Sequence, residues 1–152
     1  QAAQEVSRHT GPIWLPILSL RREDAARLGY DNAESWRKLL TSHAPEMAQA
    51  MKIPLKDFRW YAAFHNEGHH PHVHMICYST DPSKGYLTKT GIAQIKSALV
   101  KDMFRNELLE IYEQQTEKRI AFTYGFGTEY GELPSRDSVV SFFASAFTAF
   151  VI

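Results

Sequence analysis

Two neighbouring runs of hydrophobic residues predict an antiparallel β-hairpin. The hydrophobic residues are clustered in one run and alternate with polar residues in the other. The first run, residues 58–64, is aromatic and hydrophobic, and the second, residues 72–77, alternates histidine with hydrophobic residues. The link at residues 66–68, Asn-Glu-Gly, is typical of a turn. Residues i and i+2 of a strand point the same way, so His72 and His74 place two imidazoles on one face.

The rest of the chain predicts one more strand and four helices. Residues 1–11 are polar and predict only an irregular start, whereas the apolar run 13–20 predicts a buried strand that Pro16 makes irregular. The helices follow from caps and from a helical spacing of apolar residues: residues 21–28 ended by Gly29, a helix capped by Asp31 or Asn32 that runs through Leu40, a helix from Pro45 through Met51, and a long helix from Thr88 or Thr90 to about Lys118.

These elements predict an α+β fold: an antiparallel sheet with a central histidine-bearing hairpin and helices packed on one face. We expect residues 1–119 to form one domain. Residues 120–152 are a C-terminal segment of different character, since residues 138–152 are uncharged and rich in aromatic residues. Two alternatives stay open for that run, a strand or helix that completes the core and a tail without a counterpart in the rest of the fold.

Composition and charge narrow the class of protein. The chain has 152 residues and a formal net charge of zero, so no overall basic field points to nucleic acid or to an anionic membrane. A single cysteine, Cys77, predicts a reducing compartment, the cytoplasm, and a buried position in the strand. No apolar run is long enough to span a bilayer. Because Gln1 replaces an initiating Met, we expect a part of a longer protein.

Five of the seven histidines lie within residues 65–74, which predicts a metal site. His65, at the end of the first strand, can bring a third imidazole to His72 and His74 across the hairpin. Three neutral imidazoles with coordination positions left over are typical of a catalytic metal site. An adventitious histidine tract or a tag remnant would explain the count as well, but the interior position and the strand alternation argue against both.

A group of basic residues follows the hairpin, and it has two interpretations. It is either the solvated face of a helix or a stripe that contacts phosphates. Its members are Lys84, Lys89, Lys96, Lys101 and Arg105.

With these residues placed, the chain resembles relaxases of the HUH endonuclease superfamily, of the MobP/MobL type carried by conjugative and mobilisable elements such as plasmids. Three stretches carry the resemblance, and together they cover about residues 12–118. They are Leu-Ser-Leu-Arg-Arg-Glu-Asp-Ala at 18–25, Arg-Trp-Tyr-Ala-Ala-Phe-His leading to His-Pro-His-Val-His at 59–74, and Lys-Gly-Tyr-Leu-Thr at 84–88.

The resemblance implies an HUH-like fold and a nickase. Such enzymes cut one strand of DNA at a transfer origin, with accessory proteins of the relaxosome, and a divalent ion on three histidines polarises the scissile phosphate. By motif position the metal ligands would be His65, His72 and His74. The implied ion is Mg²⁺ or Mn²⁺, with Zn²⁺ as a further candidate. Glu67 would be an auxiliary or supporting residue, and His69 and His70 would be loop residues that touch a phosphate.

The nucleophile departs from the family pattern. The family places a tyrosine near the N terminus, ahead of the first strand, and none of the seven tyrosines here matches that position. Tyr112 is the nearest analogue of the tyrosine that related replication initiators carry on a helix after the histidines. We therefore expect the chain to keep the metal site without the usual nucleophile, and to form no covalent adduct with DNA.

Two other functions compete with the nickase. Residues 70–76 formally fit the alternating histidines of histidine-triad nucleotide hydrolases and transferases, which need no metal, but Pro71 departs from that motif and His65 would have no role. The second alternative is a non-catalytic remnant that binds single-stranded DNA through the basic residues and exposed aromatic side chains.

Overall fold

The computed structural model of the chain describes the backbone of residues 2–66, 68, 70–123 and 147–151, and the side chains of residues 3–66, 68 and 70–114. In chain order the elements are α1 (Ala2–Ser7), β1 (Ile13–Trp14), β2 (Pro16–Leu20), α2 (Arg22–Leu28), α3 (Ala33–Ser42), α4 (Ala44–Ala50), a 3-10 turn (Leu55–Asp57), β3 (Phe58–His65), β4 (His72–Ser79), α5 (Lys89–Met103), α6 (Arg105–Thr123) and β5 (Phe147–Val151).

The described strands form one antiparallel sheet with β4 in its interior. On one side β4 pairs with β3 over the full hairpin, from Phe58↔Ser79 to His65↔His72. On its other side lie β1 and β2, end to end and interrupted at Leu15, and β5 pairs with β2 beyond them. The predicted α+β class and the hairpin are thus confirmed.

The period-2 alternation of β4 separates the two faces of this sheet. Val73, Met75 and Cys77 are at most 2% exposed and point into the core, whereas His72 is half-buried and His74 is exposed. Burial raises the pKa of the Cys77 thiol to about 12, which leaves it a neutral apolar side chain, as predicted. We call the side of the sheet that carries His72 and His74 the histidine face.

The helices cover the other face. α3, α4 and α5 supply the large buried side chains Trp36, Met47 and Leu99, which form one cluster with Leu18 of β2 and with the core side of β4. Each helix has an apolar stripe along one side, and the alternation of the strands gives the sheet one apolar face. The helices pack on that face because both apolar surfaces are then buried. The histidine face therefore stays uncovered by these helices.

Most of the predicted helix boundaries are confirmed by their caps. Asn32, rather than Asp31, accepts a hydrogen bond from the Ser35 N–H at 2.9 Å and begins α3. Thr88 does the same for α5 through the Gly91 N–H at 3.0 Å. Gly29 ends α2 in the left-handed conformation at φ 76°, which a glycine adopts without steric cost.

Two predictions about helices were wrong. Residues 1–11 are not wholly irregular, because α1 forms at Ala2–Ser7. The long helix predicted up to Lys118 is two helices, with a break at Phe104. The Phe104 side chain is 1% exposed, so the break accompanies its burial in the core. An apolar repeat that continues across the break hides it in the sequence.

The C-terminal run is described only in part. Residues 147–151 form β5, so the strand alternative is confirmed for them. Residues 124–146, including the turn-like glycine and tyrosine motifs, lie outside the described residues. The division of the chain at residue 119 stays a prediction. Along the described stretches, every helix is too short or too polar to cross a bilayer.

Leu18 tests the core beneath the histidine face, because it is 1% exposed and pairs with Val73. We expect Leu18→Ala to lower the free energy of unfolding by about 2–5 kcal/mol in urea denaturation, since it leaves a cavity. Leu15, which is 42% exposed between β1 and β2, is the control, and Leu15→Ala should change stability by no more than about 0.5 kcal/mol. Equal losses in the two variants would contradict the assigned faces.

Candidate metal centre

The hairpin register brings the three predicted histidines together. His65 is the last residue of β3 and lies directly opposite His72, the first residue of β4. His74 follows two residues later on the same face of β4. These three side chains, here called the histidine trio, occupy the end of the hairpin next to its loop.

The imidazole rings of the trio contact one another pairwise. Ring centres are 5.1 Å apart for His65 and His72, 5.2 Å for His65 and His74, and 5.0 Å for His72 and His74. The first two rings are nearly parallel, at 9°, and His74 is steeply inclined to both. The trio is therefore a compact triangle of imidazoles on the histidine face.

The spacing of the trio matches a shared metal ion, although the ring nitrogens do not yet converge. Imidazoles that bind one ion through nitrogens at about 2.1 Å have ring centres about 5 Å apart, as here. Within the side chains described, no group of three or more His, Cys, Asp and Glu residues is placed to hold a metal ion as it stands. Three imidazoles are a donor set that suits a divalent ion, and the spacing of their rings is the observation in favour of a shared site.

One ring of the trio is already oriented by a backbone carbonyl. His72 Nδ1 lies 2.9 Å from the carbonyl oxygen of His70. A carbonyl only accepts, so Nδ1 carries the hydrogen and Nε2 keeps its lone pair. Metal-binding histidines commonly have this second hydrogen bond, which fixes the tautomer. In His72 the nitrogen with an available lone pair is therefore Nε2.

Arg22, at the start of α2, holds the loop that carries this carbonyl, and we call this contact the loop clamp. Its guanidinium donates to the Gly68 carbonyl from Nε at 3.1 Å and from Nη2 at 2.8 Å, and to the Asn66 side-chain oxygen from Nη1. Asn66 in turn donates to the Asp31 carbonyl at 3.3 Å. The planar guanidinium suits such a fork of acceptors.

Strand β2 supports the same loop from its end. The Leu20 N–H donates to the Pro71 carbonyl at 3.2 Å, and Ser19 lies opposite His72 in the register. Sequence reasoning assigned no site role to Arg22, Asn66 or Ser19. The only available signal was the Arg-Arg pair right after a strand, because the contacts join segments more than 40 residues apart.

The other predicted residues near the trio are partly described. Glu67 and His69 lie outside the described residues. His70 is exposed and precedes β4, and its ring has no recorded contact with the trio, whereas His65 contacts both His72 and His74. The ring contacts thus favour the grouping with His65 over a histidine-triad arrangement that starts at His70.

Tyr112 lies away from the trio. It is half-buried on α6 and packs against the core cluster, which lies on the helical side of the sheet. The trio lies on the opposite face. The role of Tyr112 as a nucleophile stays a prediction.

The basic residues do not form a single stripe. Lys89 and Lys96 lie two turns apart on one face of α5. Lys101 lies further along the same helix, and its position is rotated about a third of the way around the helix axis from that face. Arg105 begins α6 and pairs with Asp102 at 2.8 Å, and Lys84 is exposed in the turn after β4. Their contact with DNA stays a prediction.

The loop clamp can be tested by amide hydrogen exchange. We expect Arg22→Ala to speed exchange in a peptide covering residues 66–72 by about fivefold, the loss of about 1 kcal/mol of local stability. Arg21→Ala is the control, because the Arg21 side chain has no recorded hydrogen bond. Unchanged exchange in Arg22→Ala would contradict the clamp.

Comparison with known proteins identifies the family of the chain. The chain matches the family model described as MobL relaxases over residues 1–128. Neither a curated protein nor a solved structure matches it significantly. The match spans the hairpin with its trio, the loop clamp and the described helices α1–α6, and relaxases are enzymes that act on DNA. The chain therefore belongs to the MobL relaxase family.

Proposed function

We propose that this relaxase nicks single-stranded DNA at a transfer origin in a reaction that depends on a divalent metal ion held by the histidine trio. The observation that supports this proposal is the triangle of His65, His72 and His74, with ring centres 5.0–5.2 Å apart on the face that α3, α4 and α5 leave uncovered. A phosphodiester can approach such a face without displacing a helix.

The residues of the chain prepare the site before any substrate binds. The His70 carbonyl keeps the hydrogen of His72 on Nδ1, and the loop clamp keeps that carbonyl in place. The exposed His74 leaves the outer side of the site accessible to a phosphate. When bound, a divalent ion neutralises charge on the phosphate as the transition state develops. Mg²⁺ or Mn²⁺ is the ion we propose, with Zn²⁺ as a competitor.

The strand transfer itself requires a hydroxyl nucleophile. Its oxygen forms a bond to phosphorus as the bond to the 3′ oxygen breaks, and the proton that the nucleophile loses balances the proton that the leaving 3′ oxygen takes up. Tyr112 is the candidate retained from the sequence, and Glu67 is proposed as an auxiliary group. Lys84, Lys89, Lys96, Lys101 and Arg105 are proposed to contact DNA phosphates outside the centre.

The setting of the reaction follows from the family. We propose that the partners are single-stranded DNA at the origin and accessory proteins of the relaxosome, and that the reaction takes place in the cytoplasm. The single cysteine, buried and without a disulfide, agrees with a reducing compartment.

Metal binding is the first prediction of this proposal. Mn²⁺ should raise the melting temperature of the wild type, because an ion that binds only the folded state stabilises it. His72→Ala combined with His74→Ala should abolish that shift. His70→Ala is the matched control, since its side chain lies outside the trio, and it should keep the shift. A shift that persists in the double variant would rule out the trio as the metal site.

Nicking is the second prediction. A labelled oligonucleotide spanning the transfer origin should be cut only with Mn²⁺ or Mg²⁺, and His65→Ala should slow cutting by about 100-fold or more, as loss of a metal ligand does. A DNA-linked species on denaturing gels would overturn the expectation that the chain forms no covalent adduct, and mapping the linked residue would identify the nucleophile. Tyr112→Phe tests the retained candidate. Binding without cutting in any metal would instead support the non-catalytic alternative.

A further inference from the structure

Arg21 connects β2 to α2 and directly precedes the arginine of the loop clamp. Its backbone is extended, at φ −63° and ψ 147°, so the alternation of side chains along β2 continues through it. Leu20 is 1% exposed and lies in the core. The exposed side chain of Arg21 therefore extends to the other side, the histidine face.

The pairing of β2 with β4 places Arg21 next to the trio. Ser19 lies opposite His72, and the Leu20 N–H donates to the Pro71 carbonyl at 3.2 Å, which continues the same antiparallel pairing by one residue. Arg21 follows Ser19 by two residues, about 7 Å along the strand, so its Cα lies roughly 8–9 Å from that of His72. From this position the long side chain of Arg21 can reach an anion bound at the trio.

The guanidinium of Arg21 is available for such an anion. Within the part of the chain that the structure describes, it has no recorded hydrogen bond or ion pair. Asp24, in the first turn of α2, is bound to Arg27 at 2.7 Å. Arg22, by contrast, uses all three of its guanidinium nitrogens in the loop clamp. The two neighbouring arginines thus differ, because one holds the loop and the other keeps its five N–H donors for a ligand.

Electrostatics indicates the chemistry of that ligand. A guanidinium and a divalent ion at the trio repel each other, and an anion that contacts both turns this repulsion into two attractions. A phosphate diester carries one negative charge on two non-bridging oxygens. A planar guanidinium can donate two parallel hydrogen bonds to such a pair of oxygens, whereas an ammonium group acts only as a point charge.

We propose that Arg21 binds the non-bridging oxygens of the DNA phosphate that lies at the trio and positions this phosphate for the reaction. The contact needs no metal ion, because the guanidinium is charged by itself. It differs from the contacts proposed for the basic residues after the hairpin, which lie outside the centre. The inference rests on the proposed function for the identity of the anion, a phosphate of single-stranded DNA.

A scan with methylphosphonates tests the contact without any metal ion. In each oligonucleotide across the transfer origin, one phosphate is replaced by a neutral methylphosphonate, and affinity is measured by fluorescence anisotropy in EDTA. For the wild type we expect replacement at the nicked phosphate to weaken binding by at least about fivefold, as loss of a charged hydrogen-bonded contact does. In Arg21→Ala the same replacement should change affinity by less than about twofold.

Two further variants separate charge from geometry. Arg21→Lys keeps the charge without the planar fork, so the effect of the replacement should fall between those of the wild type and Arg21→Ala. Arg37→Ala is the matched control, because Arg37 is an exposed arginine of α3, on the helical side of the sheet, and it should respond as the wild type does.

The metal site itself should stay intact in Arg21→Ala. Removal of a positive charge near the trio does not weaken the binding of a cation, so the rise in melting temperature with Mn²⁺ should be kept or increased. Loss of this rise would mean that Arg21 supports the trio structurally, and it would overturn the proposed role.

The scan also separates the role of Arg21 from the nicking reaction. Equal sensitivity of the wild type and Arg21→Ala at every phosphate would overturn the contact, even if the wild type nicks DNA. Sensitivity lost only at a phosphate more than about two nucleotides from the cut would overturn its place at the trio. Sensitivity lost at one phosphate in a protein that cuts no DNA would support the contact of Arg21 and contradict the proposed reaction.

Discussion

The alternation of side chains along β4 is the constraint on which the rest of the structure depends. Val73, Met75 and Cys77 are buried against the helices, so the residues between them must face the other way. A shift of one residue in the register would bury His72 and His74 and expose the core residues instead. Burial of three apolar side chains therefore fixes the position of two imidazoles, and the hairpin pairing adds the third.

The histidine face combines strong support at its edges with free access at its centre. At one end the loop clamp of Arg22 and the His70 carbonyl orient the trio. At the other end the Glu5 carboxylate of α1 accepts a hydrogen bond from the Tyr61 hydroxyl of β3. The large buried side chains of α3, α4 and α5 all pack on the opposite face, so these helices leave the histidine face uncovered. The fold thus places the packed core on one face of the sheet and the accessible site on the other.

Local rules explain what could be predicted from the sequence. Strand alternation, the caps at Asn32 and Thr88, and Gly29 depend on neighbouring residues, and the hairpin register follows from a short loop. The clamp and the position of α1 depend on contacts such as Arg22 with Gly68 and Tyr61 with Glu5, which join distant segments. The break at Phe104 was hidden because the apolar repeat continues across it from α5 into α6.

Anomalous diffraction from crystals soaked in Mn²⁺ tests the central claim most directly. We expect one strong peak bound by Nε2 of His72 and by a ring nitrogen each of His65 and His74, at distances of about 2.0–2.3 Å, with the β4 backbone unmoved and only the rings rotated. A saturated protein with no peak at the trio, or with a peak held by other side chains, would contradict it.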